Sequence, residues 1–431
     1  MSAEAGGPRL VKLAEGATLA GDAARQTGAK AARLAQALAA GLPVLPGWVV
    51  PVAAGRSAMA AGAAAVTAGR PAAARRAVLG HRPDGQLAAE LRTAVAALGG
   101  RVIARSSSPL EADTRWAGAF RSVAEVGPDD APPAVASCWA SAFAVDPLAR
   151  LAACGLPADA LEMAVLLQPE ISPDAGGVAR VAAGGEVTVE GVPGHPRALL
   201  AGWAESLPGD QLTSLIGRGL AGEVATLARQ VRQLLGDGMI EWAAAGGRIW
   251  LLQSLPSGPP AVVTPPADGA AGHAGQRADE LAADLLAAVT PAGLLRAREW
   301  MPVLAATVLG RGERVPARPA APGTAAGRLL PCRPHERPAG DCGDAILLVD
   351  RPVPALAPLL FSARGIIARS GAAGSHLAGV ARSLGVPMVV GCHPELITGP
   401  AAGGDGAWLA AIDGSTGEVA LLPSADGTGQ G

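Results

Sequence analysis

Residues 370–391 read SGAAGSHLAGVARSLGVPMVVG, and this run narrows the possible folds more than any other part of the chain. Gly371, Ala372, Ala373 and Gly374 place almost no side-chain bulk ahead of Ser375 and His376, so the backbone there can approach a ligand closely. Apolar spacing predicts a helix over 376–384, ended by Gly385 and Pro387, and then a short strand over 387–390. A loop that opens a helix presents free backbone N–H groups and the positive end of the helix dipole, which together favour an incoming phosphate. Neutral imidazole is nucleophilic near pH 7, and a phosphoramidate on it remains a good donor for a second transfer. His376 is therefore a candidate phosphoryl carrier. On spacing alone the alternative is a histidine that merely starts a helix.

The strands around that helix are expected at 345–349, 365–368, 387–390 and 408–412, which makes an α/β domain of about 100 residues. The first half of the chain reads differently. Residues 28–38 have helical spacing, Gly41-Leu42-Pro43 stops that helix, and 47–52 is extended. Further strands are expected at 101–105, 163–168 and 186–191. The fold class is thus mixed α/β, with residues 1–258 as one unit and 328–425 as another. Between them, Pro- and Gly-rich tracts at 256–272 and 315–327 read as linkers that bracket a helical insert at 276–309.

Composition excludes several functions. With 17% charged residues and a formal net charge of -2, the chain has no cationic field for a nucleic-acid backbone. Aromatics are 3% and tyrosine is absent, so base-stacking platforms are also lacking. The start carries no secretory pattern, and glycines and prolines interrupt the apolar runs before they could span a bilayer, so a cytoplasmic protein without a membrane segment is expected. Five cysteines without CxxC spacing fit isolated thiols. Lysine occurs only at Lys12 and Lys30, which singles out Lys30 in its glycine-led helix.

Residues 370–391 resemble the phosphohistidine loop of the family that contains pyruvate phosphate dikinase, phosphoenolpyruvate synthase and rifampicin phosphotransferase. Ser375, His376, Ala381, Arg382, Leu384, Gly385, Pro387, Val389, Val390 and Gly391 fit its pattern in register, while Ala372-Ala373-Gly374, Leu377 and Gly379 depart from it. The flanks at 343–348 and 413–417 are similar too. The first half resembles the family's ATP-grasp unit: Gly28-Ala29-Lys30 with Leu34, the run 41–50, Arg105-Ser106-Ser107-Ser108 with Glu111, and Ile240-Glu241-Trp242 followed twelve residues after Glu241 by Gln253. The resemblance implies phosphate contacts from Lys30 and from Arg105, whose guanidinium can bind bidentately. It also implies Mg2+ on Glu241 and Gln253, since magnesium takes hard oxygen ligands and bridges phosphates. Gln168 and Glu190 are further candidate nucleotide ligands on the same resemblance. Two positions depart from it: Met239 replaces an aspartate and Leu255 an arginine, and Asp237 is a candidate to compensate.

What the resemblance implies is a relay in which ATP phosphorylates His376 through its β-phosphate, giving AMP and phosphate overall, with Ser375 and Arg105 assisting. Only 40 residues follow Gly391, whereas a phosphoenolpyruvate barrel needs about 250, so the expected acceptor is another small molecule, plausibly a natural product or peptide, bound by this chain or presented by a partner protein. A catalytically degenerate binding or scaffold module is the alternative that Met239 and Leu255 suggest.

Overall fold

Alternating apolar and polar residues in short runs, interrupted by glycine, build sheets, and the computed structural model shows three among the residues it describes. It describes residues 9–16, 23–83, 85–182, 184–207, 209–256, 301–332, 342–343, 345–394 and 408–423. Most of the expected helical insert, residues 276–300, lies outside them, as does Asp344. Contacts divide the chain into two units, Met1–Ala198 with Ser206–Ser257, and Leu199–Glu205 with Gly258–Gly431.

The first unit holds two sheets. One has strands β1 (Val11–Lys12), β2 (Trp48–Val50), β3 (Val102–Ser107), β4 (Val123–Val126) and β5 (Ala164–Pro169), in the order β1-β2-β5-β3-β4. The other has β6 (Ala175–Val181), β7 (Val187–Pro193), β8 (Asp237–Ala245) and β9 (Arg248–Pro256), in the order β7-β6-β8-β9. Every neighbouring pair in both is antiparallel. In the second sheet Ala175, Ala179, Val181, Ile240, Trp242 and Ala244 join the core with Val224, Leu227, Ala228 and Val231 of the helix Gly209–Leu235. A strand alternates its faces with period two, so Val178, Arg180, Met239 and Glu241 stand on the opposite face. One face of this sheet thus packs against the helix, and the other carries the charged groups of Arg180 and Glu241.

The helix expected over 28–38 spans Ala23–Ala39, with Gly28 non-helical inside it at φ 75° and ψ 159°. Its regular part therefore begins next to Lys30.

The second unit is one mixed sheet of β10 (Glu313–Pro316), β11 (Arg318–Ala321), β12 (Thr324–Cys332), β13 (Ala345–Val349), β14 (Gly365–Ala368), β15 (Met388–Val390), β16 (Trp408–Asp413) and β17 (Glu418–Pro423), ordered β10-β17-β16-β12-β13-β14-β15-β11. Strands β12 to β15 run parallel to one another, as pairs β12·β13, β13·β14 and β14·β15. The two edge strands β10 and β11 are separated in the chain only by Ala317. A flat eight-stranded sheet would hold its edges more than about 30 Å apart, so this one curls round on itself.

These strands correct the expectation that residues 315–327 form a linker. Pro316 and Pro319 made that stretch look irregular, but they lie in β10 and β11, the sheet edges, where a missing N–H interrupts no second ladder. The helix over 376–384 is present with the expected bounds, His376–Leu384.

Candidate functional site

In the first unit a glycine-led turn and a serine-rich turn are tied together. Gly28 lies so close to β3 that a Cβ built on it would fall 1.9 Å from the Ser107 carbonyl oxygen, and only glycine fits that approach at positive φ. Ala31 N donates to Ser107 Oγ at 3.0 Å, Ser107 Oγ donates to the Thr27 carbonyl at 2.9 Å, and Ala29 N donates to the Ser108 carbonyl at 3.1 Å. Lys30, 7% exposed, is thereby set against the β3 exit, where its ammonium donates to the Ser106 carbonyl at 2.5 Å and to Glu111 Oε1 at 3.0 Å. Glu111 is itself anchored, since its Oε2 accepts from Ser108 N at 2.9 Å in a capping box.

Arg105 sits on β3 opposite Leu166 of β5 and reaches diagonally to Gln168, donating from Nη1 to its Oε1 at 3.1 Å. The same nitrogen donates to the Leu252 carbonyl at 2.6 Å, and Nη2 donates to Gln253 Oε1 at 3.4 Å. Gln168 is held in turn by donating to the Leu45 carbonyl at 2.9 Å. The guanidinium therefore joins the two sheets. Glu241 and Gln253 are register partners in β8·β9, and a bulge directly after Glu241 leaves Leu252 as the extra residue, turning its carbonyl to Arg105.

Glu241 Oε1 is buried without a hydrogen-bond partner among the described residues. Burial pushes this carboxyl above its ordinary value, while the charges of Arg105 and Lys30 pull it back. Burial also pulls the Arg105 guanidinium down, with Glu241 and Glu111 opposing. Lys30, Arg105, Gln168, Glu241 and Gln253 thus come together in one place. They span most of the first unit in sequence, and each is buried.

Glu190 stands apart from them. It lies in the cross-strand row Glu190–Val178–Glu241–Gln253, but it is paired with Arg180, Nη2 to Oε1 at 2.8 Å. Asp237 also points elsewhere, with its Oδ2 3.0 Å from Arg33 Nε. The two positions that depart from the family pattern, Met239 and Leu255, face one another in the β8·β9 ladder and are 7% and 3% exposed. One apolar pair thus occupies a place where the family pattern has two charges. Sequence reasoning also passed over His195, whose imidazole is pushed down to about 4 by burial and by the charges of Arg197 and Arg105. It is neutral at physiological pH, and a lone histidine in a Gly-Pro loop gives no sequence signal of that setting.

The carrier candidates belong to the second unit. Ser375 is the N-cap of the helix His376–Leu384, its Oγ accepting from Ala378 N at 3.3 Å, and Gly385 ends that helix at φ 66°. His376 is half-buried at the first helical position. Arg382, one of the residues that fit the motif, donates to the Ala320 carbonyl at 2.7 Å and to the Ala373 carbonyl at 3.0 Å, so it fastens the loop to β11. The departures Leu377 and Gly379 are buried helix residues.

Two models of known families match separate parts of the chain. The family model for the AMP/ATP-binding domain of pyruvate phosphate dikinase matches residues 24–213, and that for the mobile domain of PEP-utilising enzymes matches residues 342–417. A nucleotide-binding domain followed by such a mobile domain defines an ATP-dependent phosphotransferase. In these two parts the chain is similar to pyruvate phosphate dikinase and other PEP-utilising enzymes. No curated protein matches it. Among solved structures, the holo form of Thermococcus kodakaraensis aconitase X is 19% identical, covering 26% of this chain and 99% of its own at a TM-score of 0.20. A UPF0107 protein solved by NMR is 13% identical with the same coverage and score. At those values neither bears on this chain's chemistry.

Proposed function

We propose that the chain is a dikinase-type phosphotransferase in which ATP phosphorylates His376 and His376 passes the phosphoryl group to a small-molecule hydroxyl or nitrogen, on a natural product or peptide. The observation that carries this reading is the convergence of Lys30, Arg105, Gln168, Glu241 and Gln253 between the two sheets of the first unit. With a hydroxyl acceptor, ATP, water and acceptor give AMP, inorganic phosphate and phosphorylated acceptor. The β-phosphorus forms a bond to an imidazole nitrogen as its bond to the AMP oxygen breaks, water then cleaves the β–γ anhydride to release inorganic phosphate, and the acceptor oxygen later displaces the imidazole from the remaining phosphoryl group as its proton passes to solvent.

In this reading Lys30 acts as a point charge on the phosphates and Arg105 as a planar clamp, held in orientation by Gln168 and Gln253. Transfer of this kind depends on positioning and charge neutralisation. The unpartnered Oε1 of Glu241 beside Gln253 fits magnesium, which takes few protein carboxylates and completes its shell from phosphates and water. When bound, magnesium neutralises charge on the transferring phosphates. At the carrier, Ser375 organises the helix start, leaving N–H groups to receive the phosphoryl oxygens.

The test is incubation with ATP labelled at the β-phosphate. Label recovered on His376, with AMP and phosphate as products and none of this in His376→Gln, is the expected result. Formation of ADP, or unchanged turnover in His376→Gln, would overturn it. The facing apolar pair Met239 and Leu255 favours a second reading, a non-catalytic binding module. Isothermal titration with Mg-ATP separates the two, because that module gives no binding heat.

A further inference from the structure

We infer that Arg180 is a third cation of the nucleotide site and contacts the phosphate chain from the second sheet, an assignment that rests on the ATP reading above. Arg180 lies in the cross-strand row Thr188–Arg180–Met239–Leu255, next to the row that carries Glu241 and Gln253 and on the same face. Diagonal neighbours in such a ladder are about 7–8 Å apart, within the combined reach of an arginine side chain and a triphosphate held at Glu241.

The guanidinium is incompletely used. Its Nη2 meets Glu190 Oε1 at 2.8 Å and its side chain is 23% exposed. Its Nη1 is buried with no hydrogen-bond partner among the described residues. Its neighbours along the row are Thr188 and Met239, and neither is a partner of that nitrogen. A buried N–H left unmatched is costly, and native structures rarely keep one without a reason. An anion that arrives with substrate supplies that reason.

The inventory of donors points the same way. Lys30 is engaged by Glu111 and the Ser106 carbonyl, and Arg105 by Gln168, Gln253 and the Leu252 carbonyl. Arg180 keeps Nη1 for a polyphosphate entering beside Glu241 while Glu190 holds its Nη2, so Glu190, expected from the sequence to meet the nucleotide, acts instead as the positioning residue that orients it.

The experiment measures affinity for Mg-ATP by calorimetry, and for adenosine by NMR titration, in the wild-type chain, in Arg180→Gln and in Arg180→Gln with Glu190→Gln. The double variant removes the carboxylate that the single one would strand, and thermal melting confirms that each is folded. Loss of one charge-assisted contact predicts about tenfold weaker Mg-ATP binding in both variants, with adenosine affinity held within about twofold. Wild-type Mg-ATP affinity in the double variant, or an equal loss for adenosine, overturns the assignment. A wild-type chain that binds no Mg-ATP overturns the ATP reading itself, and this assignment with it.

Discussion

A carboxylate buried without a donor destabilises the fold around it, and Glu241 is held in that condition by β8 and β9. Because burial raises its folded-state value, the linked stability is fully present below the unfolded-state value and is lost as pH rises through the folded-state value. Glu241→Gln is therefore expected to stabilise the ligand-free protein at neutral pH by about 1–2 kcal/mol and to flatten its pH dependence. Thermal melts between about pH 4 and pH 8 check both, and the same variant is expected to lose Mg-ATP binding. A glutamine that lowers the melting temperature at pH 7 would show that the carboxylate is better satisfied than its surroundings indicate. At this scale the residue types were legible from sequence, but their partners were not. Nothing in the spacing of Asp237 announces Arg33, and nothing in that of Glu190 announces Arg180, because these pairs are made across strands and between a strand and a helix.

Among the elements, the turn at Gly28 and the exit of β3 behave as one piece, since four of the backbone and hydroxyl contacts between residues 27–31 and 106–108 depend on close approach. Gly28→Ala sets a methyl against the Ser107 carbonyl at positive φ, so it is expected to cost more than about 2 kcal/mol. It should also displace Lys30 and weaken Mg-ATP binding together with stability, to be read by chemical denaturation and calorimetry. Retention of both would mean that the turn can withdraw without cost. Elements with strong local signals were legible: the helix His376–Leu384 has a serine cap and a glycine stop that act within one turn. The edge strands β10 and β11 were not, because proline reads as irregular until a sheet shows that only one side of each strand needs to pair.

For the whole molecule, the cores are separate. Trp116, Trp139, Phe143 and Leu91 lie in one cluster of the first unit, Trp242 and Ile240 in another, and Ile346, Ile367, Val389 and Ile412 in the second unit. Two units, neither sharing a core with the other, predict two calorimetric transitions, and Mg-ATP is expected to raise only that of the first unit, as ligand binding to one native state requires. A single transition moved as a whole by nucleotide would contradict this. Among the described residues no helix is long and apolar enough to cross a membrane. The sequence by itself determined the mixed α/β class, the loop that starts a helix at His376 and the pairing of glycine with Lys30, since caps, turns and small-residue approaches act between near neighbours in the chain. Tertiary structure alone decided that Arg105 bridges two sheets, that Met239 meets Leu255, that Arg180 shares a face with Glu241, and that an eight-stranded sheet curls until its edge strands are one residue apart in the chain. Each of these depends on strand register across long separations, where shifting a pair by one residue would reverse every face.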